Sequence, residues 1–363
     1  SNDLKERRYR PLPCRQVNIP KKGGKKTRTL RIPAICDRVV QGAVRLVMEP
    51  IFEADFQPGS FGYRPKRTAH DALDCVRFGL NKRLHQVIDL DLKDYFGSIR
   101  HDLMLSKLAC RIRDSDLLWL CKSILKSGGK RGLPQGSVIG PLWANVFLND
   151  VDKMLERAQA ATKEGKYEAI RYARFADDLV VLVSAHPRRR HWAPIVLRRL
   201  KEELSKVDLQ INNEKTCVVN VAAGDSFQFL SFVMSWVPNW KTGKHFAFCR
   251  PSKDRRTQFL RELRAKTRRC WSIPITDVVQ KVINPRVRGW VNYFRWGNSS
   301  RDLQYVADSV DRMVRRFASR QRPVRRKGGC GWTVWSSDVI YGEWGLFRNY
   351  RVSWSSAPSS CAT

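Results

Sequence analysis

Two adjacent carboxylates, Asp177 and Asp178, stand between two segments of strand-like composition, Ile170–Phe175 and Leu179–Val183. Because successive strand residues point to opposite faces, both carboxylates can face one atom only in the turn of a hairpin. The flanking segments permit such a hairpin. Carboxylates crowded at a strand end favour hard divalent cations, and two such cations about 3.5–4 Å apart are typical of phosphoryl transfer.

A further carboxylate from elsewhere in the chain is needed to bridge two cations. The segment Gln86–Leu92 alternates apolar and polar residues, as a half-buried strand does, and Asp91 lies at its end with Asp89 and Asp94 nearby. The alternative interpretation of the Asp177-Asp178 pair is a surface turn, where aspartate is favoured. A motif of this length does not by itself distinguish the two.

A loop rich in glycine and proline spans residues 130–142 and leads into a helical pattern. It carries Gly132, Gly136 and Gly140. Glycines in such a loop would let the backbone approach a bulky planar substrate, and the following helix N-terminus would face phosphate. The alternative is a plain connection between a strand and a helix.

Elements that could position these residues are predicted along the whole chain. Strands at Arg15–Ile19 and Thr29–Ile32 predict a basic hairpin, and mixed helices and strands continue to about residue 250. Two strands are predicted late in that part, at Thr216–Val221 and Phe227–Val233. Apolar positions at helical spacing then predict a run of helices: 255–271, 276–296 and 301–320. The pattern indicates an α+β unit followed by a basic helical domain.

Composition points to a polyanionic partner. The 363 residues include 68 Lys and Arg against 34 Asp and Glu, a net charge of +34, which would self-repel without nucleic acid or an anionic membrane. The sequence contains no apolar run of about 18 residues, and no signal peptide is recognised. The ten cysteines form no C-x-x-C pair and the six histidines are dispersed, which favours reduced thiols in a cytoplasmic protein over structural zinc.

Three segments resemble, in chain order, the palm motifs of reverse transcriptases: the segment around Asp91, the loop Gly132–Leu142 and Phe175–Asp178. Within that superfamily, further phrases resemble the group II intron reverse transcriptase/maturase family. These phrases are Arg28–Pro33, Asp37–Gln41, Glu49–Glu53, Phe61–Pro65, Ala69-His70 and, in the position of that family's maturase (thumb) domain, Asn284–Phe294. Many separate motifs in one order are far more specific than any one of them.

The resemblance implies a catalytic triad of Asp91, Asp177 and Asp178. These residues, with Leu92 in the metal set, would hold two Mg²⁺ ions, for which Mn²⁺ could substitute. Lys215 matches a lysine near the triphosphate and would protonate the pyrophosphate leaving group. Its alternative role is to cap the strand that follows.

The resemblance also implies a nucleotide site. Phe96 matches the steric gate that excludes a ribose 2′-OH, and Gln135 would line the nucleotide pocket. Basic residues of the hairpin match those that grip the incoming triphosphate: one of Lys21, Lys22 and Lys26, together with Arg28. The alternatives are that Phe96 is a core aromatic and that each basic residue is one of many solvated charges.

Residues for RNA and primer are implied in the last third of the chain. Phe229–Phe232 resembles the primer grip, with Phe229 and Leu230 as the implied contacts. Basic residues interleaved with aromatics in the later helices would supply phosphate contacts and stacking surfaces. The residues expected to contact RNA there are Arg264, Arg268, Arg288 and Tyr293.

The expected architecture is a right-hand polymerase fold of the α+β class, with an antiparallel sheet plus helices. Residues 1–85 would form the fingers and 86–250 the palm with interleaved fingers segments. Residues 251–350 would form a helical thumb/maturase domain, and 351–363 a disordered tail. An N-terminal truncation is also expected, together with either a family member that lacks the endonuclease domain or one truncated before it.

The expected function is RNA-directed DNA polymerisation of the group II intron type, with intron RNA binding and splicing. The partners would be an RNA template, a DNA or RNA primer, group II intron RNA and dNTPs, without a membrane. The protein would be cytoplasmic in a bacterium and nucleoid-associated when bound to DNA. The alternatives are an RNA-binding splicing cofactor with little polymerase activity and a domesticated reverse transcriptase of host defence or repair.

Overall fold

The computed structural model describes residues 2–20, 27–163, 167–189, 191–321 and 335–353. The described residues divide into two compact units, the first ending at Asp225 and the second beginning at Ser226. The predicted division into fingers, palm and thumb is a finer one, and it stays a prediction.

The first unit combines helices with two antiparallel sheets. Its helices are α1 (Asn2–Lys5), α2 (Ile35–Glu53), α3 (Ala69–Asn81), α4 (Tyr95–Ser98), α5 (His101–Ala109), α6 (Ser115–Ser127), α7 (Gly140–Ala161) and α8 (Trp192–Lys206). Its strands are β1 (Arg15–Pro20), β2 (Thr27–Ile32), β3 (Gln86–Leu90), β4 (Ile170–Phe175), β5 (Asp178–Val183) and β6 (Cys217–Asn220). The predicted α+β class is confirmed.

The four-stranded sheet has the order β4-β5-β3-β6 and is antiparallel throughout. Residues along β4 and β5 are almost continuously buried, so both faces of these strands are covered by protein. One face packs on a core that includes Met48 of α2 and Trp143 of α7. The predicted hairpin of β4 and β5 is therefore confirmed, and it lies at the centre of the unit's core.

Local signals explain where the helices around this sheet begin. Thr68 and Asp71 form a capping box at the start of α3, in which each side chain accepts a hydrogen bond from the other's backbone N–H. The helix α7 starts at Gly140 with Pro141 in its first turn, where the missing N–H of proline costs nothing. The strands β1 and β2 pair as predicted, whereas the turn at 21–26 lies outside the described residues.

The second unit begins with a three-stranded sheet and continues as helices. Its strands are β7 (Ser226–Phe229), β8 (Phe232–Pro238) and β9 (His245–Pro251). Its helices are α9 (Lys253–Arg268), α10 (Ile275–Asp277), α11 (Asn284–Phe294) and α12 (Ser300–Gln321), with π-helical stretches at Val278–Ile283 and Asp338–Glu343. The three predicted helical regions are confirmed.

One strand prediction in this region was wrong, and one strand was missed. The segment predicted as one strand, Phe227–Val233, is broken by a turn at Leu230 and Ser231, which have φ of 48° and 71°. The strand β9 was not predicted at all. It pairs along its whole length with β8, so its formation depends on a partner that local sequence does not show.

The described part of the chain contains no helix that is both long and apolar enough to cross a membrane. Its eight cysteines form no disulfide.

Candidate active site

The register of the central sheet brings the predicted catalytic carboxylates to one end of it. Leu90 of β3 pairs with Leu179 of β5, so the next residues, Asp91 and Asp178, follow on opposite strands. Phe175 pairs with Asp178, which leaves Ala176 and Asp177 as a two-residue hairpin turn. Asp91 thus lies at the same end of the sheet as Asp177 and Asp178, although it is far from them in the sequence.

These carboxylates repel one another. Asp178 is exposed to solvent, but the protein atoms around its carboxylate still desolvate it. This desolvation, followed by repulsion from Asp89, Asp177 and Asp91, raises the pKa of Asp178 to about 7, and Lys215 partly offsets the shift. Burial, with a contribution from Asp91, raises the pKa of Asp89 to about 6. The site therefore concentrates negative charge that a bound cation would relieve.

Asp91 is held by two side chains from the loop before β6. The Lys215 ammonium donates to Oδ2 of Asp91 at 3.1 Å, and the Asn212 amide donates to the same oxygen at 2.9 Å. The backbone N–H of Asn212 also donates to the Asp91 carbonyl at 2.8 Å. The structure thus places Lys215 in contact with Asp91, one of the three predicted catalytic carboxylates. Asn212 was missed, and its only sequence signal was its place three residues before Lys215.

Within the described residues, no three His, Cys, Asp or Glu side chains already converge as a metal-ligand set. Hard oxygen donors are nevertheless the right chemistry for Mg²⁺, and Asp91 and Asp178 lie close enough to influence each other electrostatically. Leu92 is buried, and its backbone bridges to Ile211. Ligation by any of these residues stays a prediction.

The hairpin turn depends on a close approach by a second segment. Ala176 has a φ of 60°, in the left-handed region that alanine rarely adopts. Gly62 lies directly against it, since a Cβ atom there would stand 2.4 Å from the Ala176 nitrogen. The N–H of Phe61 donates to the Arg174 carbonyl at 2.8 Å, which aligns this segment with β4. A side chain at position 62 would push the turn out of place.

The glycine-rich loop is seated on the first unit's own backbone. Gly132 has a φ of 87°, and a Cβ atom there would lie 2.9 Å from the Phe96 carbonyl oxygen. Gly136 has a φ of 124°, and its Cβ would lie 2.8 Å from the Arg31 oxygen. These glycines therefore permit a close approach of the loop to α4 and β2, and its approach to a substrate stays a prediction. The loop is thereby tied to Phe96, the predicted steric gate.

The predicted nucleotide residues are only partly described. Phe96 is partly buried, packs on the core and contacts the ring of Tyr95 at 5.3 Å between centroids. Gln135 is partly buried, and its carbonyl accepts the Arg31 N–H at 2.8 Å. The backbone of Arg28 lies in β2 opposite Ile19. The side chain of Arg28 lies outside the described residues, as do three lysines: Lys21, Lys22 and Lys26.

The predicted primer-grip residues meet Tyr293 within the second unit. The Tyr293 hydroxyl donates to the Leu230 carbonyl at 2.9 Å. Leu230 and Ser231 both have positive φ, a strained conformation for non-glycine residues that is often found at functional sites. Phe229 is only 1% exposed, so its side chain serves the core. Of the predicted primer-grip residues, Leu230 and Ser231 of the turn are partly exposed, whereas Phe232 is fully buried.

An arginine groove runs between α9 and α12. Its lining combines five exposed arginines with a partly apolar floor of Met313 and Phe317: Arg264, Arg268, Arg312, Arg316 and Arg320. Two of the predicted RNA contacts, Arg264 and Arg268, therefore lie together. Arg288 lies instead on α11, with its guanidinium over the Phe347 ring.

Substituting Asp178 by asparagine should stabilise the metal-free protein. In the native state its pKa lies above the ordinary carboxyl value, so folding favours the protonated form, and the stability present at low pH is lost as pH rises through about 7. In EDTA at pH 8 we expect Asp178→Asn to raise the Tm by about 1–2 °C, because solvent screens the repulsion at an exposed carboxylate, and by less at pH 5. Calorimetry at both pH values measures this. A Tm at pH 8 equal to or below that of the wild type would contradict it.

The comparisons with known proteins identify the family of the chain. Residues 19–234 match the family described as reverse transcriptase (RNA-dependent DNA polymerase). The chain belongs to the reverse transcriptase family. Residues 256–335 match the group II intron maturase-specific domain, so this reverse transcriptase carries the domain that its sequence was expected to carry.

Curated relatives cover part of the chain. Protein YkfC of Escherichia coli is 33% identical over 270 residues, which are 63% of this chain and 68% of that protein. The group II intron-encoded protein LtrA of Lactococcus lactis is 34% identical over 163 residues, or 42% of this chain and 27% of LtrA. Among solved structures, apo telomerase from Candida tropicalis is 14% identical with a TM-score of 0.49, covering 86% of this chain and 58% of that one.

Proposed function

We propose that this reverse transcriptase copies RNA into DNA at Asp91, Asp177 and Asp178 by metal-assisted nucleotidyl transfer. The observation that carries the proposal is the sheet register that sets Asp91 and Asp178 side by side next to the turn at Asp177. The primer 3′-oxygen would form a bond to the dNTP α-phosphorus as the bond to the pyrophosphate oxygen breaks. Two Mg²⁺ ions, when bound, would activate the primer hydroxyl and neutralise the phosphates.

The side chains around Asp91 take two roles in this proposal. Asn212 orients the Asp91 carboxylate through the 2.9 Å hydrogen bond. Lys215 lies 3.1 Å from the same oxygen, within reach of a triphosphate bound at the site, and protonates the departing pyrophosphate. Phe96 would select dNTPs over NTPs, and Gln135 would line the pocket. The backbone of Leu92 and the basic β1–β2 hairpin would complete the metal and triphosphate contacts.

We further propose that the second unit binds the template–primer duplex and group II intron RNA, and that it assists splicing. The match to the maturase-specific domain supports this proposal, as does the arginine groove between α9 and α12. Arginines over a partly apolar floor suit a sugar–phosphate backbone, because each guanidinium presents several donors. In this scheme the fingers span 1–85, the palm 86–250 and the thumb/maturase domain 251–350.

The proposed partners also determine where the protein would act. A template, a primer, dNTPs and intron RNA occur together where genomes are expressed and copied. The relatives from Escherichia coli and Lactococcus lactis are bacterial proteins. In a bacterium the corresponding compartment is the cytoplasm, including the nucleoid.

Two groove arginines should contribute to RNA affinity. We expect the double variant Arg268→Gln/Arg316→Gln to weaken RNA binding by about tenfold at moderate salt, because each lost phosphate contact reduces counterion release. The slope of log K against log salt should also become shallower by about 1–2. Filter binding across a salt series measures both quantities. Arg301→Gln, an exposed change at the start of α12, is the control; an equal loss in the control would contradict a role for the groove.

A primer-extension assay tests the proposed activity itself. A labelled DNA primer on an RNA template should lengthen with dNTPs and Mg²⁺, and each added nucleotide should release one pyrophosphate. Extension that does not depend on the RNA template would contradict the proposal. A parallel splicing assay with intron RNA separates the maturase role, since Asp177→Asn should retain it.

A further inference from the structure

Arg174 is a buried arginine on β4, three residues before Asp177. Its side chain is 1% exposed, and that of its ion-pair partner, Asp152 of α7, is 0% exposed. Nε of Arg174 donates to Oδ1 of Asp152 at 2.8 Å, and Nη2 donates to Oδ2. Such a pair is costly to desolvate and gives weak evidence of net stability by itself.

The remaining donors of Arg174 connect this pair to the catalytic turn. Nη1 donates to the Ala176 carbonyl at 2.8 Å and to Asn145 of α7 at 3.0 Å. Nη2 donates to the Ser60 hydroxyl at 2.7 Å. All five N–H groups of the guanidinium therefore have an acceptor. The Asn145 amide in turn donates to the Gly62 carbonyl at 2.7 Å, which ties α7 to the segment beneath the turn.

The bond to Ala176 bears directly on the strained part of the turn. Ala176 holds a φ of 60°, and such a conformation persists only where its surroundings fix it. Arg174 holds the Ala176 carbonyl from below, while Gly62 lies against the Ala176 nitrogen. The peptide that carries this carbonyl leads directly into Asp177. The guanidinium therefore binds the peptide that immediately precedes the two carboxylates.

We propose that Arg174 is a positioning residue that fixes the catalytic turn so that Asp177 and Asp178 present their carboxylates to the divalent cation. This inference rests on the proposed function. A lysine at this position would keep the charge but would lose the planar fork that reaches four partners at once. Support of this kind around a metal site is typically worth about 10–100-fold in metal affinity.

The chain offers a matched control on the same strand. Arg171 of β4 has a side chain that is 7% exposed, and its guanidinium pairs with Glu168 through several hydrogen bonds and contacts Cys75. Arg171→Lys therefore removes a buried arginine fork whose bonds run to Glu168 and Cys75. Any general loss of stability along β4 should appear in both variants.

The test compares Mn²⁺ binding, by electron paramagnetic resonance, in the primer–template complexes of Arg174→Lys and Arg171→Lys, together with the Mg²⁺ dependence of nucleotide incorporation. We expect Arg174→Lys to weaken Mn²⁺ binding and to raise the half-saturating Mg²⁺ concentration, each by about tenfold or more. Primer–template affinity should stay within about twofold. Arg171→Lys should leave both metal readings at the wild-type values.

If Arg174→Lys fails to fold, Ser60→Ala decides, because it removes only one acceptor of the guanidinium and leaves the Asp152 pair in place. It should weaken Mn²⁺ binding about threefold. The inference about Arg174 would be overturned if Arg174→Lys, or Ser60→Ala in its place, bound the metal as tightly as Arg171→Lys does. The proposed function would be unaffected by that result. An Asp177→Asn variant with full activity would overturn the proposed function as well, so the two failures are distinguishable.

Discussion

Asp177→Asn is expected to lower RNA-templated nucleotide incorporation by about 1,000-fold or more, a loss of about 4 kcal/mol of transition-state stabilisation. The substitution preserves size and removes one negative charge from the turn between β4 and β5. A single-turnover assay with a labelled primer measures the rate. Template–primer affinity should change by no more than about twofold, because the turn carries repelling charge rather than phosphate contacts.

The control for Asp177→Asn is Glu202→Gln on the exposed face of α8. Glu202 is half-exposed, and its ion pairs with Arg198 and Arg199 are long, at 3.7 and 3.9 Å. Glu202→Gln also removes one negative charge, and Glu202 lies in the same structural unit as Asp177. A purely global charge effect would therefore appear in both variants. Incorporation by Asp177→Asn within tenfold of the control would contradict a catalytic role for the turn.

Lys215→Ala should lower the incorporation rate by about 100-fold at saturating Mg²⁺ and dNTP. The ammonium lies 3.1 Å from Asp91 and is 66% exposed on its side chain, so it can contact a bound triphosphate without a large rearrangement. Lys215→Arg should retain part of the activity, since it still offers positive donors but gives up a proton poorly. Single-turnover rates at saturating Mg²⁺ distinguish protonation of the pyrophosphate by Lys215 from a role in which Lys215 only screens the charge of Asp91.

Lys206→Ala provides the comparison for Lys215→Ala. Lys206 is also an exposed lysine in an ion pair, with Glu203, but it lies at the end of α8. Equal rates for the two alanine variants would remove Lys215 from the chemistry. If the rate defect of Lys215→Ala disappears at high Mg²⁺, the role of Lys215 would instead be limited to its electrostatic effect on Asp91.

Short-range patterns were sufficient to predict much of the first unit. The β4–β5 hairpin was predicted because two strand-like segments flank an acidic turn, and the register then confirmed that Asp91 lies beside it. The helices of the second unit followed from apolar spacing, since Val306, Val310 and Val314 of α12 are fully buried. These features depend on periodicity, which a single sequence shows.

Contacts between distant residues could not be predicted in the same way. Asn212 reaches Asp91 across 121 positions, and Arg174 reaches Ser60 across 114. Neither residue type indicates its partner, because a polar side chain in a strand or loop has many candidate acceptors. The turn at Leu230 was missed for a related reason: leucine rarely adopts positive φ, so its sequence predicts a continuous strand.

The glycine-rich loop makes contacts within the protein that its sequence did not indicate. Gly132 and Gly136 were expected to let the backbone approach a substrate, which stays a prediction. Their positive φ and close contacts also seat the loop on α4 and β2, which the sequence did not indicate. The loop is still connected to the predicted nucleotide site through Phe96. Sequence alone does not show whether a glycine makes room for a ligand or for the protein's own backbone.

The most direct test of the account is single-nucleotide incorporation by the wild-type protein on an RNA template, with Mg²⁺, comparing the correct dNTP with the corresponding NTP. We predict extension with the dNTP, little extension with the NTP, and none after EDTA is added. Tight binding of the template–primer with no extension in Mg²⁺ or Mn²⁺ would contradict the account and favour an RNA-binding splicing cofactor.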